Sequence, residues 1–346
     1  MPTIEELRKL QALPLERKIL ITQTRILEWN IKNKGQVYVS FSGGKDSTVL
    51  LDLARRVEPT IPAVFVDTGL EYPEIRQFVK TFDNVTILRP KMRFDEVIRE
   101  YGYPLISKEV SECVSQGRIA LTSDKYPYRL QKLMGTALNK DGTKSKFNKA
   151  KYKPLLYVDF KVSNMCCNVM KKAPAHAYTK SSGRFPITAQ TAEESMLRTQ
   201  QWLKNGCNGF DMKSPISNPM SFWTEQDILQ YIKRTGLRIA PVYGEIAYEP
   251  AENERYTETL CDVGECNLCT TGAKRTGCIF CMFGASRKGD DRFLRLKQTH
   301  PRQYEYCMGG GAYDEDGFWK PTKEGLGMAH VIEVCNSIYG KDFIKK

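Results

Sequence analysis

Val37-Tyr38-Val39-Ser40-Phe41-Ser42-Gly43-Gly44-Lys45-Asp46-Ser47-Thr48-Val49-Leu50-Leu51 is the stretch that decides the fold. Val37, Tyr38, Val39 and Phe41 make a short β-rich run that ends in Ser42-Gly43-Gly44. A helix is expected from about Ser47, with Val49, Leu50, Leu53, Ala54 and Val57 on one face. Two glycines let backbone N–H groups turn inward around an anion, and the N-terminus of the following helix adds partial positive charge. Lys45 supplies a mobile cation there, and the Ser47 hydroxyl is placed to cap the helix or bind a phosphate oxygen. The string is not a Walker A loop: G-x-x-x-x-G-K-S/T needs glycine where this chain has Val39 and a hydroxyl residue where it has Asp46. Any tight strand-to-helix turn favours Gly-Gly and a short polar cap, but the complete six-residue string in this setting points to phosphate.

The alternation continues outward. Upstream, residues 15–31 space Leu15, Ile19, Ile26 and Leu27 along one helical face. Downstream, Ala63–Val66 reads as a strand, Tyr72–Phe82 as a helix, Val85–Leu88 as a strand and Phe94–Tyr101 as a helix. Short apolar strands alternating with helices predict an α/β fold, a doubly wound parallel sheet covered on both faces. Ligands of such sheets bind beyond the carboxyl ends of the strands. Arg184–Thr188 is a further strand and Ala192–Lys204 a further helix. Thr224-Glu225-Gln226-Asp227 starts another helix in the manner of a capping box, with Gly236 as its stop. Met328–Tyr339 is also expected to be helical. The domain expectation is a helical segment over 1–35, a nucleotide-binding domain over 36–240 and a cysteine-rich C-terminal region over 241–346. Within the second, residues 123–183 are rich in Lys, Asn and Gly and read as a basic, substrate-facing insertion or loop system.

Bulk composition narrows the classes. Apolar residues are 41% of 346, which excludes global disorder. The N-terminus mixes both charge signs, and no stretch approaches the ~18 uncharged apolar residues of a membrane span, so a soluble, cytoplasmic protein is expected. The net charge of +12 is uneven: Asp124 to Arg184 holds 14 Lys and Arg against 3 Asp. A second basic run, Lys274 to Arg302, holds 8 Lys and Arg against Asp290 and Asp291. A solvated basic surface and a polyanionic partner both account for these runs. Of eleven cysteines, six fall into Cys166-Cys167, Cys266/Cys269 and Cys278/Cys281, spacings that in a reducing compartment suit metal better than disulfides.

Ser42-Gly43-Gly44-Lys45-Asp46-Ser47 resembles the PP-loop of ATP pyrophosphatases. Val66-Asp67-Thr68-Gly69 with Pro73-Glu74 resembles the LDTG and PET segments of the phosphoadenylyl-sulfate reductase branch. Glu194-Ser195-x-x-Arg198, and Asn218-Pro219 followed by Trp223-Thr224-Glu225-Gln226-Asp227-Ile228, resemble two further strings of that branch. The likeness covers about residues 36 to 284 in the family's order. It implies that Ser42, Gly43, Gly44, Lys45, Asp46, Ser47, Asp67, Thr68 and Gly69 bind ATP, with Mg²⁺. Lys45 would stabilise phosphate charge and Asp46 would position metal or acceptor.

Cys166-Cys167-Asn168-Val169-Met170-Lys171-Lys172-Ala173-Pro174 is similar to the paired-cysteine string of iron–sulfur adenylyl-sulfate reductases, and Gly277-Cys278-Ile279-Phe280-Cys281 to their later GC-x-x-C. That resemblance implies a 4Fe-4S cluster on Cys166, Cys167, Cys278 and Cys281, shielded by Ile279, Phe280, Met282 and Phe283, with Lys171 offsetting its charge. Two other readings stand beside it. Zinc would fit Cys266-x2-Cys269-x8-Cys278-x2-Cys281 as a tetrahedral knuckle, and several of the thiols could simply be buried. Cys261, Cys266 and Cys269 lie in a segment that looks inserted and are candidates for a second site or a redox or sulfur-relay thiol.

The chain also departs from the branch. Cys335 lacks the neighbours of the reductases' C-terminal cysteine and reads as a buried helix residue. Met170 stands where the cysteine string has Arg, and Ala189 and Thr191 stand where a G-x-R precedes ES. His176, His300 and His330 read as structural or exposed. The expected function is an ATP pyrophosphatase that adenylates an acceptor for sulfur transfer. The expected acceptor is a nucleic acid, as in DNA phosphorothioation or tRNA thiolation, with a sulfur donor such as a cysteine desulfurase. The alternatives are a sulfonucleotide (APS or PAPS) reductase and a non-catalytic PP-loop module that binds nucleic acid.

Overall fold

The computed structural model describes residues 2–249 and 267–346. Contacts divide the chain into two compact units that interleave along the sequence. The first comprises Met1–Asp67, Glu71–Arg89 and Pro174–Thr276; the second comprises Thr68–Leu70, Pro90–Ala173 and Gly277–Lys346. Consecutive blocks with boundaries near 35 and 240 are therefore not how the chain is partitioned. The strand that follows the basic segment returns to pair with the first strand, and Pro90–Ala173 before it groups with the second unit.

In chain order the first unit opens with α1 (Ile4–Gln11), α2 (Leu15–Lys32), β1 (Val37–Ser40), α3 (Lys45–Val57), β2 (Ala63–Val66), α4 (Pro73–Val79) and β3 (Val85–Leu88). The second unit then contributes α5 (Phe94–Tyr101), α6 (Lys108–Thr122), α7 (Pro127–Met134) and α8 (Met165–Cys167). Helix α9 (Ala173–Ser182), β4 (Phe185–Ile187), α10 (Met196–Asn205), β5 (Asn208–Gly209), β6 (Ile216–Ser217) and α11 (Glu225–Thr235) follow. The sheet runs β3-β2-β1-β4-β6-β5, parallel throughout except for the antiparallel β5–β6 pair. The chain moves from β1 outward to β2 and β3, then returns on the other side of β1 as β4. That reversal puts a topological switch point beside the carboxyl end of β1, where open α/β sheets bind ligands.

Both faces are covered, as the apolar runs require. Val37, Val39, Ala63, Val49, Leu50 and Leu53 are all fully buried. Helix α2 turns a different stripe inward from the one its aliphatic residues suggest. Leu27 is 46% exposed, while Lys18, Thr22 and Trp29 join Leu15 and Ile26 in the core. Lys18 is tolerated there because its Nζ meets Asp227 Oδ2 at 2.6 Å and the Gln11 carbonyl at 2.6 Å. Asp227 in turn closes the capping box of α11 with Thr224, and Gly236 ends that helix in the left-handed conformation. The loop expected over 123–183 is largely helical: α7, a 3-10 turn over Ala150–Leu156, α8, a π turn over Asn168–Lys172 and α9. Its Lys-rich composition hides the periodicity. The C-terminal helix spans Met328–Tyr339, as its pattern predicts.

Candidate active site

The phosphate loop follows β1 at the switch point. Gly43 has φ +70°, and a Cβ there would meet Val79 Cγ2 at 2.7 Å and Ile75 Cγ2 at 2.8 Å, so both conformation and space demand glycine. Gly44 is the N-cap of α3, which begins at Lys45 rather than Ser47. Ser47 therefore lies inside the first turn, with its Oγ donating to the Gly44 carbonyl at 2.9 Å and accepting from Ser42 N at 3.2 Å. It braces the loop instead of capping the helix.

Lys45 is only 2% exposed, and its Nζ reaches Glu225 Oε1 at 3.0 Å and Asp46 Oδ1 at 3.3 Å. Burial alone would push this ammonium down; Asp46 and Glu225 overcome it and hold the pKa above its ordinary value. Lys45 is thus a fixed cation at the head of α3. The Asp46 carboxyl is driven up by burial, offset in part by Lys45. Asp46 Oδ1 is buried and takes no hydrogen bond; its neighbour is the Lys45 ammonium at 3.3 Å, which leaves lone pairs that suit a hard cation such as Mg²⁺.

Residues from far along the sequence complete the loop. The Lys45 amide donates to Tyr243 Oη at 3.1 Å, and that hydroxyl pairs with Thr276 Oγ1 at 2.6 Å. Asp46, Thr191, Glu193, Glu194, Glu225 and Arg275 line a cavity of about 260 Å³. That lies below the ~300–1,000 Å³ usual for whole small-molecule ligands, so it fits a phosphate chain better than a complete nucleotide. Ser195 caps α10, and Arg198 pairs with Glu194, the residue of Glu194-Ser195-x-x-Arg198 that lines the cavity. Glu225, Tyr243, Thr276 and Arg275 carry no role in the sequence reading. Glu225 sits in a string whose only legible feature is a helix start, and the other three have no local pattern.

Asp67 lies one residue past β2, on the strand next to the loop, and its Oδ2 accepts from Arg76 at 2.9 Å. Thr68 and Gly69 group with the second unit, where the Ile279 amide donates to the Leu70 carbonyl at 2.8 Å.

The second unit holds the four predicted thiols. Cys166 and Cys167 end α8, directly before the π turn, a distortion often found at functional positions. Cys278 and Cys281 form a tight turn, with Cys281 N donating to the Cys278 carbonyl at 3.0 Å. The two pairs sense each other. Cys167 is held below the ordinary thiol value, first by Cys166 and then by the Lys108 and Lys171 ammonium groups. Cys166 is driven up, first by its bond to Cys167, then by burial and the charges of Cys281 and Cys278. Burial pushes Cys281 up as well. Arg292 donates to the carbonyls of Cys281 at 2.8 Å and Phe283 at 3.0 Å, which fixes the loop. Ile279, Phe280 and Met282 are buried, and Phe283 is half-buried.

Among the described residues, no three His, Cys, Asp or Glu side chains are arranged to hold a single metal ion. Four neighbouring thiols, two cations and an apolar cover are nonetheless the donor set and surroundings an iron–sulfur cluster takes. Of the zinc alternative, Cys269 lies on the strand Leu268–Thr270 of the first unit, and Cys266 lies outside the described residues, as does Cys261. Cys335 is fully buried in the C-terminal helix, its thiol pushed by burial up to about 12.

The phosphoadenosine phosphosulfate reductase domain matches residues 36–111 and 119–282, most of the chain. The chain belongs to this family. Similar proteins include an uncharacterized protein of Methanocaldococcus jannaschii, 38% identical over 96 residues, 26% of this chain and 23% of that one. Adenosine 5'-phosphosulfate reductase 1 of Bacillus subtilis is 25% identical over 202 residues, 51% of this chain and 84% of its own. Sulfate adenylyltransferase subunit 2 of Pseudomonas putida is 28% identical over 212 residues, 59% of this chain and 58% of its own. The chain thus spans about a quarter of the archaeal protein, most of the reductase and just over half of the adenylyltransferase subunit. Among the described residues no helix is long and apolar enough to cross a membrane.

Proposed function

We propose that this chain is an ATP pyrophosphatase that adenylates a nucleic-acid acceptor for sulfur transfer. The observation that carries the reading is the buried Lys45–Asp46 ion pair at the head of α3, whose Asp46 oxygen takes no hydrogen bond and whose carboxylate lines an acidic cavity. Four carboxylates against one guanidinium would repel a bare triphosphate but suit one carrying Mg²⁺, which Asp46 would hold. An acceptor oxygen attacks the α-phosphorus, and the bond to the β-phosphoryl group breaks. Lys45 and the N-terminus of α3 stabilise the charge gathering on the departing pyrophosphate. The persulfide sulfur of a cysteine desulfurase, reduced to hydrosulfide by two electrons from an external dithiol, then attacks the adenylated atom and AMP leaves with the acceptor oxygen. Cys166, Cys167, Cys278 and Cys281 would hold a 4Fe-4S cluster, which when bound supplies electron transfer or a sulfur-handling surface.

The 14 Lys and Arg against 3 Asp between Asp124 and Arg184 favour a polyanionic acceptor, DNA or tRNA. A second reading, sulfonucleotide reduction, draws support from the Bacillus subtilis relative. It needs an accessible thiol, and Cys335 is buried with its thiolate disfavoured. The test is a complete reaction with ATP, a cysteine desulfurase, labelled cysteine and reductant. Label in DNA or tRNA supports thiolation. No label in DNA or tRNA, with sulfite released from added sulfonucleotide, overturns it.

A further inference from the structure

The basic segment holds a set of aromatic rings in water. Residues 124–161 carry ten Lys and Arg against three Asp. The same stretch exposes Tyr126 by 46%, Tyr128 by 45%, Phe147 by 63% and Tyr157 by 65%. Isolated exposed apolar residues need no explanation, but these are fastened in place.

Phe147 sits in a loop docked on α7. Ser145 N donates to the Ala137 carbonyl at 2.9 Å, and the Asn148 side chain bonds both the amide and the carbonyl of Ala137 at 3.1 Å. Lys149 N donates to the Lys132 carbonyl at 2.7 Å. Lys132 is itself buried, with Nζ on Glu109 Oε1 at 3.0 Å, and it stands 5.4 Å from the Tyr128 ring centre and 5.7 Å from that of Phe147. One anchored cation therefore sits against two exposed rings. Tyr157 is presented in the same way: the Arg118 fork donates to the carbonyls of Leu155, Leu156, Val158 and Phe160 at 2.8–3.1 Å around it. Tyr126 adopts φ +58°, a left-handed conformation that costs a bulky residue about 1 kcal/mol or more, directly before α7. Lys144, Lys146 and Lys151 are exposed in the same segment.

Rigid rings interspersed with mobile cations form a stacking platform for bases with a track for phosphates. We infer that this face of the second unit binds an unpaired stretch of nucleic acid, with Tyr128 and Phe147 stacking on bases and Lys144, Lys146 and Lys151 meeting phosphates. Duplex bases are already stacked and offer no face to a side-chain ring, so the platform selects single-stranded or flipped-out nucleotides. The inference deepens the nucleic-acid reading given above and rests on it.

The test measures fluorescence anisotropy of the full chain with one labelled oligonucleotide, single-stranded and as its duplex, from low to moderate salt. The single strand should bind more tightly. The double substitution Tyr128→Ala, Phe147→Ala should weaken single-strand binding roughly tenfold or more. The salt slope should stay unchanged, because the rings release no counterions. Replacing Lys144, Lys146 and Lys151 with Gln should instead flatten that slope. Phe147→Trp should keep the affinity, and its emission should be quenched on binding. Duplex binding as tight as single-strand binding, or a double variant that binds like the parent, overturns the platform while leaving a nucleic-acid acceptor intact. Binding of neither form at low salt removes the acceptor reading and the platform with it.

Discussion

The phosphate loop and the cysteine site differ in how their polar atoms are settled. In the loop nearly every group has a partner: Ser42, Ser47 and Gly44 bond one another, and Tyr243 holds the Lys45 amide. The exception is one Asp46 oxygen, which faces the Lys45 ammonium without a hydrogen bond. In the cysteine site the groups are gathered without being closed: thiols perturb one another and two lysines favour a thiolate, yet among the described residues no three ligands are set for a single ion. A preorganised loop works without reorganisation at the moment of reaction, as transition-state stabilisation requires. A set of neighbouring thiols is what a polynuclear guest with its own internal geometry needs.

The sharpest way to break this contrast is at the thiols. Cys166→Ser or Cys281→Ser should abolish cluster retention, read as loss of colour and of about four irons per chain after anaerobic purification. Stoichiometric zinc in colourless protein, lost on Cys266→Ser but kept on Cys166→Ser, would replace the cluster with a knuckle. The loop comes next. Lys45→Ala or Asp46→Ala should lower the rate of AMP formation by about 10²–10³-fold or more, with the far-UV spectrum unchanged.

A smaller effect, on stability alone, tests how the first unit holds its helix seam. Lys18 and Asp227 meet at 2.6 Å with side chains 2% and 10% exposed. Asp227→Ala leaves a buried ammonium unpaired and removes a cap, and should cost about 3–5 kcal/mol in urea unfolding. Replacing both partners with apolar residues should cost far less. The smallest effect concerns Tyr243→Phe, which removes one hydroxyl shared by the Lys45 amide and Thr276. It should cost about 0.5–1.5 kcal/mol, seen as a several-fold rise in KM for ATP.

These expectations track what the sequence makes legible. The loop Ser42–Ser47 is contiguous, so its chemistry, its strand and its helix can be read from neighbours alone. The parallel sheet is legible for the same reason, since its buried strands are short apolar runs. Glu225 and Tyr243 reach Lys45 only through tertiary folding across about two hundred residues, and nothing local marks them. Lys18 and Lys132 are buried lysines, which a periodicity argument assigns to solvent. The same blindness turned the helices around Pro127–Met134 and Ala173–Ser182 into an expected loop. The interleaved units were hidden because contacts between distant segments, not composition, decide where a compact body ends.

The central claim is the bond that is broken in ATP. Incubating the purified full chain with ATP, Mg²⁺, a nucleic-acid acceptor, a cysteine desulfurase with cysteine, and reductant, and separating the nucleotide products, tests it most directly. The account predicts AMP and pyrophosphate in equal amounts, both lost in Asp46→Ala. ADP and inorganic phosphate from the parent chain would contradict it.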